Sequence, residues 1–196
     1  MKAKRLSSFL LDWQRAKPGV ELTQVEVLAA IMLLGQRVDN EYRDLAYSRY
    51  KLRTGDLRML MALRRQGDDG AMRPTDLFKS LLISSGAVTK QADRLLKKRL
   101  IARIPDPDYE RGKLIKLTSA GRRIADEVFD ISARSFGSFG AAIAKCDKRT
   151  REQGIQFLDF ILAELNGAES EESTKRRRSP SRGGARNASR ATRARR

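Results

Sequence analysis

The sequence contains no histidine and a single cysteine, Cys146. Without histidine there is no imidazole for acid–base chemistry near neutral pH, or for binding a metal. With one cysteine no intramolecular disulfide can form, and a reducing compartment is expected. No stretch approaches the roughly 18 apolar residues of a membrane span. The N-terminus, MKAKRLSSFLLDWQRAKPGVEL, begins basic, but Asp12 and Arg15 interrupt its short apolar run, so it reads poorly as a signal peptide. There is no glycine-rich phosphate loop, and the carboxylates fall into no recognisable catalytic pairing. An enzyme is therefore not expected, no cofactor or metal is called for, and a cytoplasmic binding protein is the default.

Positive charge is what the chain has in excess. Its 196 residues carry a net charge of +17. Charge of that sign calls for an anionic partner, nucleic acid or an acidic membrane surface. Its distribution is uneven. Ten basic residues and no acid lie between Ser173 and Arg196, leaving +7 for the remainder. The length fits one domain of ordinary size with appendages.

Hydrophobic spacing predicts mostly helix. Residues 6–16 place Leu6, Phe9, Leu10 and Trp13 on one face, and Pro18-Gly19 ends that segment. A long helix is expected from Gln24 to Tyr47, and another opened by Thr54 as a cap and stopped by Gly67-Asp68-Asp69-Gly70. Two short helices follow. Pro74 suits the first position of one. The turn Ser84-Ser85-Gly86 caps the next, which runs to about Lys98 and buries Val88, Ala92, Leu95 and Leu96. The period then switches to two. Residues 100–104 and 113–117 read as paired strands around a turn at 105–112. Thr118 caps a further long helix, with a break expected at Gly137 and Gly140, and a last helix covers about Lys148 to Leu165. From Asn166 on, the composition predicts disorder.

Two short helices, a tight turn and a hairpin make a winged helix-turn-helix, whose second helix enters the major groove of DNA. The outward face of that helix presents Ser85, Gly86, Thr89, Lys90, Asp93, Arg94 and Lys97. Gly86 permits close approach, Ser85 and Thr89 can bond phosphates or base edges, and Lys90 and Arg94 supply donors for guanine or phosphate. In the wing, PDPDYERGK ends in Arg111 and Lys113. A loop of that length would bring Arg111 to the adjacent minor groove.

The run RPTDLFKSLLISSGAVTKQADRLLKKRLIARIPDPDYERGKLIKLTSAGRR resembles the DNA-binding lobe of the multiple-antibiotic-resistance regulator (MarR) family. The matching residues include Pro74, Thr75, Leu77, Ser85, Val88, Thr89, Asp93, Arg94, Leu95, Leu100, Ile101, Arg103, Asp106, Pro107, Arg111, Leu117, Thr118 and Gly121. The resemblance covers about residues 21–165. It implies a mainly α, homodimeric transcription regulator on a palindromic operator, with the recognition helix in the major groove and the wing in the minor groove. Repression relieved by a small anionic aromatic ligand is the family's common mode. The implied layout is an N-terminal extension helix (1–20), a dimerisation helix (21–53), the winged helix-turn-helix (54–121), C-terminal dimerisation helices (122–166) and a disordered Arg-rich tail (167–196).

The chain departs from the family pattern at three places. Tyr109 stands where the wing motif has aspartate, Arg99 where the recognition helix often ends in glycine, and Arg73 where a Ser or Thr cap is usual. The segment FLLDWQRAKPGVEL resembles the extra first helix of a urate- or phenolate-responsive subgroup, and Trp13 matches that subgroup's pocket tryptophan. Arg58 falls at the subgroup's pocket aspartate and Gln91 near its arginine, so urate is not expected. An acidic ligand held by Arg58 with Trp13 is the form a ligand site would take.

Blander readings stand beside these. Lys90, Arg94 and Lys97 alone would pass for a solvated helix face. Arg111 can be read as a mobile hairpin tip, Trp13 as a packing residue, and Cys146 as a buried small apolar side chain rather than a redox switch. The Arg-rich tail is either an electrostatic anchor or a solubilising terminus. A nonspecific, nucleoid-associated DNA binder working through that tail is the alternative to a regulator.

Overall fold

The computed structural model describes residues 6–67 and 70–178. Along the chain run α1 (Leu6–Ala16), α2 (Thr23–Tyr50), α3 (Thr54–Arg64), β1 (Ala71–Met72), α4 (Pro74–Leu81), α5 (Ser85–Lys97), β2 (Ile101–Asp106), β3 (Tyr109–Leu117), α6 (Ser119–Ser135), α7 (Gly137–Ala144) and α8 (Lys148–Arg178). The fold is mainly helical with one small antiparallel sheet in the order β1-β3-β2. The chain divides into two units, one ending at Ala144 and the other beginning at Lys145.

The core of the first unit gathers on α3, which packs against α2, α4, α5, α6 and β3. Leu57, Met59, Leu60 and Leu63 of α3 are fully buried with Leu77, Val88, Leu95 and Val128. Each such side chain contributes about 1.5–3 kcal/mol on burial. The sheet adds Ile101, Ile115 and Leu117 to the same cluster. Gly121 in the first turn of α6 lies directly against the Leu100 carbonyl, where a Cβ has no room.

Capping residues fix several boundaries. The Ser84 hydroxyl accepts from Ala87 N at 3.3 Å and starts α5. Thr118 accepts from Gly121 N at 3.1 Å and starts α6. Pro74 is at the start of α4. Gly137, at φ +51°, adopts the left-handed conformation that separates α6 from α7.

Four expectations need correction. Thr54 is the first helical residue of α3, not its cap; Arg53 holds the cap position without a side-chain bond. Asp56 in that first turn supplies the negative charge the helix start favours. The wing turn is much shorter than 105–112. The strands stay paired from Ile101↔Leu117 to Asp106↔Tyr109, with an irregularity between Pro105 and Asp106. Pro105 is tolerated because β2 is an edge strand. β1 was not anticipated; it pairs Ala71 with Lys116 and Met72 with Ile115. Finally, α8 continues to Arg178, so residues 167–178 are helical where disorder was expected. Their Ala, Glu, Lys and Arg content favours helix intrinsically. Residues 179–196 of the Arg-rich tail lie outside the described residues.

Both units leave apolar helix faces uncovered. On α2 the exposed set is Leu28, Ile31, Met32, Leu33 and Leu34. On α8 it is Ile155, Phe157, Leu158, Phe160, Leu162 and Leu165.

Candidate nucleic-acid interface

α4, the turn at Leu82–Ser84 and α5 form the helix-turn-helix, with the β2–β3 hairpin as its wing. Val88, Ala92 and Leu95 anchor α5 on the core, which leaves its other face to solvent. Ser85, Gly86, Thr89, Lys90 and Lys97 are all exposed on α5. Nothing lies within 4 Å of where a Gly86 Cβ would project, so the helix start is open to a close partner. Thr89 Oγ1 donates back to the Ser85 carbonyl at 3.1 Å, and its oxygen remains free to accept. Lys98 and Arg99 extend the basic face past the helix end.

Arg94 does not share that face. Its guanidinium turns inward onto Asp56 of α3, with Nε to Oδ1 at 3.0 Å, Nε to Oδ2 at 3.1 Å and Nη2 to Oδ1 at 2.5 Å. Asp56 is only 1% exposed. A carboxylate buried that deeply requires a charged, hydrogen-bonded partner, and Arg94 supplies it. Arg94 thus fastens α5 to the core through Nε and Nη2, while its side chain stays 32% exposed. Beside it, a Cβ at Gly55 would meet the Gln91 amide at 2.7 Å and would require that side chain to move.

In the wing, Arg111 and Lys113 are exposed on β3. Arg111 has no ion-pair partner among the described residues. It lies in a strand, not at the tip of a long loop, because the turn closes at Pro107-Asp108. The family's aspartate position is Tyr109, which is exposed, and Asp108 does not serve Arg111 in its place. Asp108 pairs instead with Arg73 at 3.1 Å. Arg73 also donates to both oxygens of Asp106, at 2.5 and 3.1 Å. These bonds hold the Asp106 carboxyl below the usual carboxylate range. Asp93 of α5 reaches Arg103 of β2 at 2.9 Å, a second tie between helix-turn-helix and wing.

The residues considered for a small ligand stand apart from this surface. Trp13 meets Phe9 edge-on, with ring centroids 6.5 Å apart. Arg58 pairs with Asp39 of α2 at 2.7 Å. No hydrogen bond or ring contact joins Trp13 to Arg58 among the described residues. Cys146 is half-buried. Among the described residues no cluster of three His, Cys, Asp or Glu side chains is placed to hold a metal, and no helix is long and apolar enough to cross a membrane.

One of the missed features left a trace in the sequence. Asp56 sits at i, i+4, i+7 with Leu60 and Leu63, on the buried stripe of α3, which marks a carboxylate in need of a partner. Arg73, seen only as a lost cap, gave no sign of reaching a turn over 30 residues later.

Comparison with known proteins finds similarity over this part of the chain. Residues 52–112 match the sequence model of the MarR family. The transcriptional regulator PecS of Dickeya dadantii is 25% identical over 125 residues, 64% of this chain and 75% of PecS. The multiple antibiotic resistance protein MarR of Salmonella typhimurium is 43% identical over 58 residues, 30% of this chain and 40% of that protein. The fold superposes on the C80S mutant of Escherichia coli MarR complexed with operator DNA, with a TM-score of 0.56 and 22% identity, covering 75% of this chain and 99% of the other.

Proposed function

We propose that this chain, which carries the DNA-binding winged helix of the MarR family, is a transcription regulator that binds a palindromic operator as a homodimer. The observation that carries the reading is the outer face of α5, where Ser85, Gly86, Thr89, Lys90 and Lys97 are exposed while the opposite face is locked to the core. A rigid helix with a small, polar, basic outer face suits major-groove recognition. Arg111 and Lys113 of the wing extend the positive surface toward the neighbouring minor groove. Phosphate contacts by lysine and arginine make such binding strongly salt-dependent.

The homodimer is supported by the exposed large apolar residues of α2 and α8, since apolar surface gathered on a helix marks an interaction site. Two-fold symmetry in the protein entails two-fold symmetry in its site. Relief of binding by a small anionic aromatic compound, with Trp13 and Arg58 as its contacts, is the finer part of the proposal and rests on the resemblance of the N-terminal segment. A nucleoid-associated place in the cytoplasm follows from the function.

Selection of duplexes from a randomised library tests the reading. The expected product is a pair of inverted half-sites about one helical turn apart. Enrichment of no sequence over random duplex would support the alternative, nonspecific binding through the basic residues that begin at Lys175.

A further inference from the structure

We propose that Arg73 is a positioning residue for DNA binding: through Asp106 and Asp108 it fixes the wing turn to the start of α4, and so sets where Arg111 and Lys113 stand relative to α5. This rests on the DNA-binding reading above.

One guanidinium serves the whole turn. Nε and Nη2 of Arg73 take both oxygens of Asp106, and Nη2 also reaches Asp108. Its Cζ lies 5.8 Å from the centre of the Tyr109 ring. Asp106 is 6% exposed and ends β2 at the register irregularity. Its Oδ1 additionally accepts from Asp108 N at 3.1 Å, which shapes the turn itself. Gly112 passes so close that a Cβ there would meet the Cβ atoms of Tyr109 and Asp106 at 2.8 and 2.9 Å. The turn is therefore packed beneath and clamped from the side. Only arginine presents the planar fork that holds one carboxylate by two bonds and still reaches a second.

The clamp also explains two departures together. Arg73 occupies the N-cap position of α4 but makes no cap bond. Tyr109 removes the wing aspartate, and Arg111 is left with no ion-pair partner among the described residues. The wing of this chain is thus tethered through its turn rather than through its groove-facing arginine. The Asp93–Arg103 pair holds the strand nearer its root. Between them the two links join α4 to the wing tip and α5 to the wing stem.

Arg73 is exposed enough to touch a phosphate itself, so the test must separate positioning from contact. The full chain is compared with Arg73→Ala, Asp106→Ala, Arg111→Ala and the Arg73→Ala/Arg111→Ala pair. The first readout needs no DNA: amide hydrogen exchange at residues 108–112. Arg73→Ala and Asp106→Ala should each speed exchange there about tenfold, the effect of losing a charge-assisted bond, while α5 keeps its protection. The second readout is affinity for a duplex enriched by the unsubstituted protein from a random library. Asp106→Ala should weaken binding about tenfold even though it removes a negative charge, which by itself would favour DNA. Adding Arg73→Ala to Arg111→Ala should cost little more than Arg111→Ala alone.

Unchanged exchange in both variants would overturn the clamp. So would binding by Asp106→Ala that is equal or tighter, or additive losses in the double variant, which would make Arg73 a direct DNA contact. If Asp106→Ala does not fold, Asp106→Asn keeps the acceptor for Asp108 N and should show a smaller change in the same direction; no change would count against the inference. Failure of the unsubstituted protein to enrich any duplex would overturn the regulator reading, and hydrogen exchange would still decide whether the clamp exists.

Discussion

Arg99 follows the end of α5 with φ +57°, a conformation in which a Cβ crowds the neighbouring backbone. The chain accepts it because the turn is well bonded. Leu100 N donates to Leu95 O at 3.0 Å, Arg99 N to Leu96 O at 2.9 Å, and Thr118 Oγ1 to Arg99 O at 2.8 Å. That pattern is the one glycine usually serves at a helix end. Arg99→Gly should therefore stabilise the fold by about 1 kcal/mol, read as a higher urea midpoint. A midpoint that falls would show that the arginine side chain makes a contribution larger than its backbone strain. The same position illustrates what sequence reading can see. The absence of glycine was visible, but not whether the backbone had changed course or the arginine had taken the strained geometry.

At the scale of elements, α5 separates two kinds of basic residue. Arg94 is tied to the core, since its partner Asp56 is buried. Arg94→Ala should destabilise the fold by about 3 kcal/mol, because it leaves a buried carboxylate without its partner. Lys90→Ala should leave the unfolding midpoint unchanged and weaken DNA binding by about 1–3 kcal/mol, the cost of one lost base or phosphate contact. Thermal unfolding and titration with duplex, run on both variants, check the division; equal midpoints would refute it.

α7 depends on a different carboxylate. Glu41 of α2 accepts from Ser138 N at 3.0 Å, from Phe139 N at 3.1 Å and from the Ser138 hydroxyl. It caps a helix that has no acid of its own in the first turn. The Ser138 hydroxyl bond is the main cause that lowers the Glu41 pKa from its ordinary value of 4.5. A lowered folded value means the stabilisation is complete above the unfolded pKa and fades as pH falls through the folded one. Exchange at the Ser138 and Phe139 amides, corrected for intrinsic rates, should thus accelerate as pH drops below about 4.5, and Glu41→Gln should flatten that dependence. A pH-independent opening in the unsubstituted protein would rule this out.

The elements also show how far the sequence could be read. Long periodic helices and the core face of α5 were legible, because Val88, Ala92 and Leu95 repeat at helical spacing. The wing strands were legible, but their junction was not. Pro105, Pro107 and Gly112 read as loop, whereas an edge strand needs no N–H from Pro105 and Gly112 is a packing requirement. β1 is two residues long, too short to show a period. The inward turn of Arg94 depended on a contact with a residue 38 positions away.

For the whole molecule, the uncovered apolar faces of α2 and α8 demand a partner, and a second copy is the proposed one. Leu28→Glu with Met32→Glu should weaken self-association at least about tenfold, by placing charges where burial is expected. Sedimentation at graded concentrations measures it, and an unshifted dissociation constant would remove α2 from the interface. Charge on the molecule divides in the same way as function. On the proposed reading, the ten basic residues after Ser173 would supply general attraction to phosphate and the face of α5 would supply choice.

Choice among DNA sequences is what separates a regulator from a nonspecific binder. Footprinting of the DNA flanking the protein's own gene and of genome-wide fragments, at physiological salt and with excess random duplex, measures it directly. Discrete, two-fold symmetric segments should stay protected under competition and lose protection with Lys90→Ala. Protection that spreads evenly and disappears with competitor would contradict the account.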